Sequence, residues 1–143
     1  MASSRWFSGR SLLLVIVGGA IGVALRALIL VPLGGDVHPL VIPAATLAVN
    51  LLGSFLLGAV VGRLDGRHPH VRAFFGTGLL GGFTTYSAFA VQAVTTGTAA
   101  PVIGLLLILV SLFIGVLAAA LGLVVGRRAA GAPDDIETPE DAE

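Results

Sequence analysis

Cysteine and lysine are both missing from the 143 residues, and charged residues of every kind make up only 11%. Without cysteine there are no disulfides and no thiolate metal sites, which says little about compartment. Without lysine, and with no acid inside any long apolar stretch, the chain lacks the ionisable group at depth on which a proton-coupled carrier relies. No nucleophile is paired with a base inside a span, so an enzyme is not expected. What is present is apolar surface: 56% of the residues are hydrophobic and the mean hydropathy is +1.01. A soluble domain of this size would not be so apolar, and nothing is left over to build a soluble catalytic domain.

Four apolar stretches, at about 11–31, 41–62, 73–94 and 101–126, are each near or above the length that crosses the hydrocarbon of a bilayer. The expected fold is all-α: a cytoplasmic segment over residues 1–10, a four-helix transmembrane domain over 11–126, and a disordered acidic tail over 127–143. The first apolar run is too long for a signal peptide and lacks a small-residue cleavage site, so it reads as a retained helix. The net charge of zero hides an asymmetry, because seven of the eight arginines lie outside the spans and six of the eight acids lie at or after Asp134. With four spans, Arg5, Arg10, Arg63, Arg67, Arg72, Arg127 and Arg128 fall on one side and the opposite loops carry no arginine. The positive-inside rule then puts both termini in the cytoplasm of a cell-membrane protein.

The third stretch is unusual. Its centre reads Gly81-Gly82-Phe83-Thr84-Thr85, in which adjacent glycines and β-branched threonines weaken a helix at mid-membrane depth. An opened backbone survives there only against protein, an ion or a water-filled path, so a helix broken at this point is expected to be a functional element. In the first stretch Gly18 and Gly22 form a small-xxx-small pair, with Arg26 one turn on; the arginine either snorkels to the headgroups or stands at the mouth of an aqueous vestibule. The turn-rich connection over 32–40 makes the first two helices antiparallel neighbours. In the second, Thr46, Asn50 and Ser54 are four apart and share a stripe, and the Asn50 amide serves either as glue between helices or as part of a polar pathway.

His68 and His70 lack a third ligand and read as loop residues. In the fourth stretch Gly104, Ser111, Gly115, Gly122 and Gly126 form a seam of small residues, with Ser111 its one side-chain hydroxyl. Tyr86 and Phe89, three apart, are either core packing or, with their positive ring edges and the Asn50 NH2, a cradle for a small hydrated anion.

Three strings, GGAIGVALR (Gly18 to Arg26), TLAVNLLGSFLLG (Thr46 to Gly58) and GLLGGFTTYSAF (Gly78 to Phe89), closely resemble the signatures of the Fluc fluoride-channel family, also called CrcB. The resemblance implies a dimer of two four-helix chains inserted antiparallel, with two narrow pores and passive, selective export of fluoride from the cytoplasm. It implies that Asn50 is the pore asparagine, that Tyr86 and Phe89 stand where the family has paired pore phenylalanines, and that the carbonyls of Gly81 and Thr84 from both chains hold a structural sodium ion. Arg26 matches the motif arginine of the first helix, while Thr46, Thr85 and Ser111 complete the candidate polar lining. Tyr86 in place of phenylalanine, Gln92 in place of a glutamate and Ala27 in place of a tyrosine depart from the family pattern. With the arginine asymmetry, these departures imply pairing with an oppositely oriented homologue as an alternative to self-pairing, either as a conducting or as a non-conducting subunit. A small multidrug exporter is the further rival, and the arginine in the first helix, where such a protein would carry a membrane-embedded glutamate, counts against it.

Overall fold

The computed structural model describes residues 8–34, 41–64, 67–87, 90, 91, 94 and 101–131, and every regular element among them is helical. Helix α1 (Gly9–Leu30) begins where the Ser8 hydroxyl accepts from the Ser11 N–H at 3.1 Å, and it tightens into a 3-10 turn (Val31–Leu33) at Pro32, which has no N–H to continue the ladder. Helix α2 is Val41–Leu64. Helix α3 runs over 69–83 in three parts, an α-turn with Pro69 at its start (Pro69–Arg72), a π-helical stretch (Ala73–Leu80) and a last α-turn (Gly81–Phe83). Helix α4 (Pro101–Ala129) ends in a turn at Gly131, whose φ of 66° lies in the left-handed region that glycine adopts freely.

Three stretches, Gly9–Leu33, Val41–Leu64 and Ile108–Ala129, are long and apolar enough to cross a membrane as unbroken helices. The remaining apolar stretch does not qualify because its helix stops. Phe83 is the last residue of α3, Thr84 is extended with φ −79° and ψ 153°, and helical geometry returns at Tyr86. The break therefore lies at Thr84 and Thr85, and Gly81, expected to be unwound, keeps helical angles of −64° and −36°.

Glycines decide which helices meet. A β-carbon on Gly18 would lie 2.5 Å from the Phe74 carbonyl oxygen and 2.9 Å from the Leu79 N, and one on Gly22 would strike the Leu79 backbone. Gly78 meets Val15 and Gly18 in the same way, and Gly82 meets Gly19. These contacts advance together along both chains, so α1 and α3 are parallel and touch backbone to backbone. The second pair is α2 with α4: Gly58 abuts Ala119, Gly62 abuts Leu123, Gly122 abuts Phe55 and Gly126 abuts Ala59, again in parallel register. The pairing of α1 with α2 as antiparallel neighbours is thus a minor contact, because the glycine seam of α1 is taken by α3 and that of α2 by α4. Parallel pairing of alternate helices is what an up-down-up-down path produces. At the far end of α2, the Arg63 guanidinium donates to the Ala129 carbonyl oxygen at 3.3 Å, so the second connection and the end of α4 share one side.

Little of the single chain is buried. Among the described residues Val49, Leu80 and Phe83 form the apolar interior, while Leu13, Leu28, Phe113 and Leu121 among many others face outward. In hydrocarbon this costs nothing, since lipid tails are as apolar as leucine, and cohesion falls to close van der Waals contact and interhelical hydrogen bonds. We expect Gly22→Ala to destabilise the protein by about 1–3 kcal/mol through overpacking. Gly19→Ala, whose new methyl would meet only the Gly78 oxygen at 3.8 Å, should stay within about 0.5 kcal/mol. Thermal unfolding of the purified variants measures both.

Candidate functional site

The site is built on the broken backbone at 84–85. The last turn of α3 closes on Leu80, whose carbonyl oxygen accepts two hydrogen bonds, from the Thr84 N–H and from the Thr84 hydroxyl, each at 3.0 Å. Beyond it the peptide groups of Thr84 and Thr85 leave the helical ladder, and in the membrane interior such groups must find partners within the protein. Side chains from the two neighbouring helices supply them. From α1, Arg26 Nη1 donates to the Thr84 carbonyl oxygen at 3.2 Å. From α2, Asn50 Nδ2 donates to the Thr85 carbonyl oxygen at 2.9 Å while Asn50 Oδ1 accepts the Thr85 N–H at 2.8 Å. Gly53, one turn further along the same face of α2, admits the Thr84 methyl group where any β-carbon would collide. Thr85 is buried, and its hydroxyl lies 3.3 Å from that of Ser87.

The paired hydrogen bonds to Thr85 fix the orientation of the Asn50 carboxamide. Turned over, its oxygen would face the Thr85 oxygen and its NH2 the Thr85 N–H, two like-to-like contacts. One edge of the planar amide is therefore spent on the backbone, and the second Nδ2 hydrogen is held on the other edge.

Beside this amide, a groove of about 360 Å³ runs between α2 and α4. Leu47, Asn50 and Ser54 line it from α2, Ile108, Ser111, Leu112, Gly115, Val116 and Ala119 line it from α4, and Tyr86 closes it where the third span resumes. Among the described residues its polar groups are one amide and three hydroxyls, and no charged side chain lines it. Such a lining can donate several hydrogen bonds to a small ion.

The candidate residues fall into distinct places. Asn50, Tyr86 and Ser111 meet at the groove, and Tyr86 is 77% exposed in the single chain. Thr85 sits behind Asn50 as its backbone partner. Thr46 is completely buried with its hydroxyl donating to the Ile42 carbonyl oxygen at 2.9 Å, and it does not line the groove. Gly81 is exposed at the last turn of α3, and Thr84 lies half-buried at the break. Arg26, expected at headgroup level or at a vestibule, is half-buried and reaches the break itself. Phe89 and Gln92 lie outside the described residues, as do the segment 1–7 and the acidic tail beyond 131. Ser54 lines the groove without having been singled out for it; its four-residue spacing from Asn50 was the available signal.

Comparison with known proteins gives one consistent family. The model for "CrcB-like protein, Camphor Resistance (CrcB)" matches residues 13–123. Similar proteins include a "Fluoride-specific ion channel FluC 2" of Bacillus subtilis, 40% identical over 119 residues covering 82% of this chain and 88% of that protein. A "Fluoride-specific ion channel FluC" of Thermosipho melanesiensis is 36% identical over 118 residues, covering 80% of this chain and 94% of its own. A "Fluoride-specific ion channel FluC 2" of Leifsonia xyli is 50% identical over 90 residues, which are 59% of this chain and 60% of that protein.

The arrangement at the break makes a test of Arg26. Arg26→Met removes the donor to the Thr84 oxygen and should cost about 1–3 kcal/mol, the penalty of an unsatisfied buried acceptor, in denaturant or thermal unfolding of the purified protein. An arginine that merely snorkelled would be replaced by methionine at little cost.

Proposed function

Since the chain belongs to the CrcB-like family, we propose that it is a subunit of a fluoride-conducting membrane channel and not an enzyme. The observation that carries this reading is that Asn50, its carboxamide fixed by two bonds to Thr85, lines a groove with no charged side chain among the described residues, and that one Nδ2 hydrogen is not used at the break. Fluoride is the smallest halide and a strong hydrogen-bond acceptor, so dehydrating it is costly unless several donors replace its water. The Asn50 N–H and the hydroxyls of Ser54, Ser111 and Tyr86 are donors of that kind, with Phe89 as the further aromatic of the pore and Thr85 as the group that holds Asn50 in place. That no positive side chain stands among the described residues of the groove itself serves conduction, because an ion must bind well enough to enter and weakly enough to leave. With no lysine in the chain and no acid inside a span to couple flux to protons, transport is passive and follows the gradient. Fluoride that enters an acidified cell as HF and is trapped as the anion would leak out through such a pore, and its toxicity would fall.

The working unit is a dimer of two chains in opposite orientation. The open side of the groove, the exposure of Tyr86 and the exposure of Gly81 all support a second chain covering this face. A sodium ion shared between the chains fits the donor set: the Gly81 and Thr84 carbonyls are hard oxygen ligands at a break, and no group of three or more His, Cys, Asp or Glu is present among the described residues to favour a transition metal or a divalent ion. The Thr84 oxygen carries two lone pairs, so its bond to Arg26 leaves one for the ion. The ion would supply the positive charge that holds two sets of bared carbonyls together. The Arg26 guanidinium also raises the local anion concentration near the pathway. Both termini are cytoplasmic for this chain in the cell membrane, by the arginine asymmetry.

That asymmetry supports a second reading. A chain that pairs with its own inverted copy must insert both ways, whereas seven arginines on one side favour a single orientation and a homologous partner of opposite orientation. In that case this chain contributes one wall of the pores, conducting or not. Fluoride efflux from liposomes holding the purified chain alone decides between self-pairing, which gives full flux, and an obligate partner, which gives none. In the conducting assembly, Asn50→Asp should lower fluoride flux by about 10- to 100-fold, the loss of one charge-assisted hydrogen bond in the pathway. Unchanged flux would make this chain a scaffold and not a pore wall.

A further inference from the structure

We propose that Asn50 is also the positioning residue for the cation at the break, so that a single carboxamide serves the anion groove with one edge and prepares the cation's oxygen with the other. The proposal rests on the sodium reading above. In an uninterrupted α-helix the N–H of Thr85 would donate to the carbonyl of Gly81, four residues earlier. Here that N–H is given to Asn50 Oδ1 at 2.8 Å, and Thr84 is extended. The Gly81 carbonyl is thereby relieved of its helical donor at an exposed residue beside which nothing lies within 4 Å of where a β-carbon would stand.

The glycines themselves do not account for this. Gly81 has ordinary helical angles, and the missing side chain of Gly82 is what lets α3 approach Gly19. The agent that releases the Gly81 oxygen is a side chain of α2. By the same pair of bonds Asn50 holds the Thr85 peptide against re-entering the ladder.

The two edges of the amide can be separated by substitution. Asn50→Asp keeps the acceptor oxygen for the Thr85 N–H, which is the bond that frees the Gly81 carbonyl, and loses the amide NH2, and with it both the donor to the Thr85 oxygen and the N–H offered to the groove. Asn50→Leu keeps the size and loses both functions, and Asn50→Ala loses both with a smaller side chain should leucine hinder folding. Ser111→Ala alters the groove from α4 without touching the break.

The measurement is the melting temperature of the full-length protein in its conducting assembly, in sodium chloride against N-methylglucamine chloride at equal ionic strength. Sodium should raise it by on the order of 5 °C in the wild type. The rise should persist in Asn50→Asp and Ser111→Ala and vanish in Asn50→Leu and Asn50→Ala, although the Asp variant conducts poorly. A full sodium response in the Leu or Ala variant, or its loss in the Asp variant, overturns the positioning role while leaving sodium binding intact. No sodium response in the wild type removes the sodium reading, and this inference with it.

Discussion

A peptide group that leaves its helix inside a bilayer has no water to turn to, and the structure depends on how the Thr85 peptide meets that constraint. Its N–H and its carbonyl are both satisfied by the carboxamide of Asn50, at 2.8 and 2.9 Å, while the neighbouring Thr84 carbonyl is satisfied by Arg26. Each unmet group would cost several kcal/mol in hydrocarbon. An amide is suited to the task because it offers a donor and an acceptor side by side, as a backbone neighbour does. The break is thus a tertiary feature, held from outside by two helices.

The glycine contacts set up this arrangement. Parallel pairing of α1 with α3, through Gly18, Gly22, Gly78 and Gly82, brings Arg26 level with Thr84. On the other side Gly53 lets the Thr84 methyl lie against α2 where Asn50 can reach Thr85. The contacts of Gly58, Gly62, Gly122 and Gly126 then fix α4 against α2, so that Ser54 and Ser111 face one groove with Asn50. Packing in lipid has little hydrophobic force to guide it, and the register of small residues takes over that role. From there one consequence follows another: glycine register places the amide, the amide holds the break, and the same residue lines the groove.

Much of this was legible in the sequence, for reasons that differ by residue. The long apolar runs forecast α1, α2 and α4 to within a few residues at each end, because a bilayer sets the length of whatever crosses it. Asn50 stood out because an amide at depth needs partners; it finds them in the Thr85 peptide, which makes it glue between α2 and the third span, and it also lines the groove. The break was expected somewhere over 81–85 and falls at the end of that range. Of the glycines and threonines that weaken it by propensity, the helix continues through Gly81 and Gly82 and yields at Thr84 and Thr85, where the backbone finds partners in Asn50 and Arg26. The partnership of α1 with α3 was not legible from the short connection after α1, because loop length limits which helices can be near and does not say which glycine faces match. Thr46 shares the four-residue spacing of Asn50 and Ser54 but turns its hydroxyl back to its own helix at Ile42, a satisfaction that spacing alone does not reveal.

The central claim is that the third span is interrupted at Thr84 and Thr85 because Asn50 takes both hydrogen-bonding groups of Thr85. Solid-state NMR of the labelled protein in lipid bilayers tests it most directly. The account predicts helical carbon shifts up to Phe83, extended shifts at Thr84, and through-space transfer between the Asn50 side-chain amide and the Thr85 amide proton. Helical shifts running unbroken from Phe83 to Tyr86, with no transfer from Asn50 to Thr85, would contradict it.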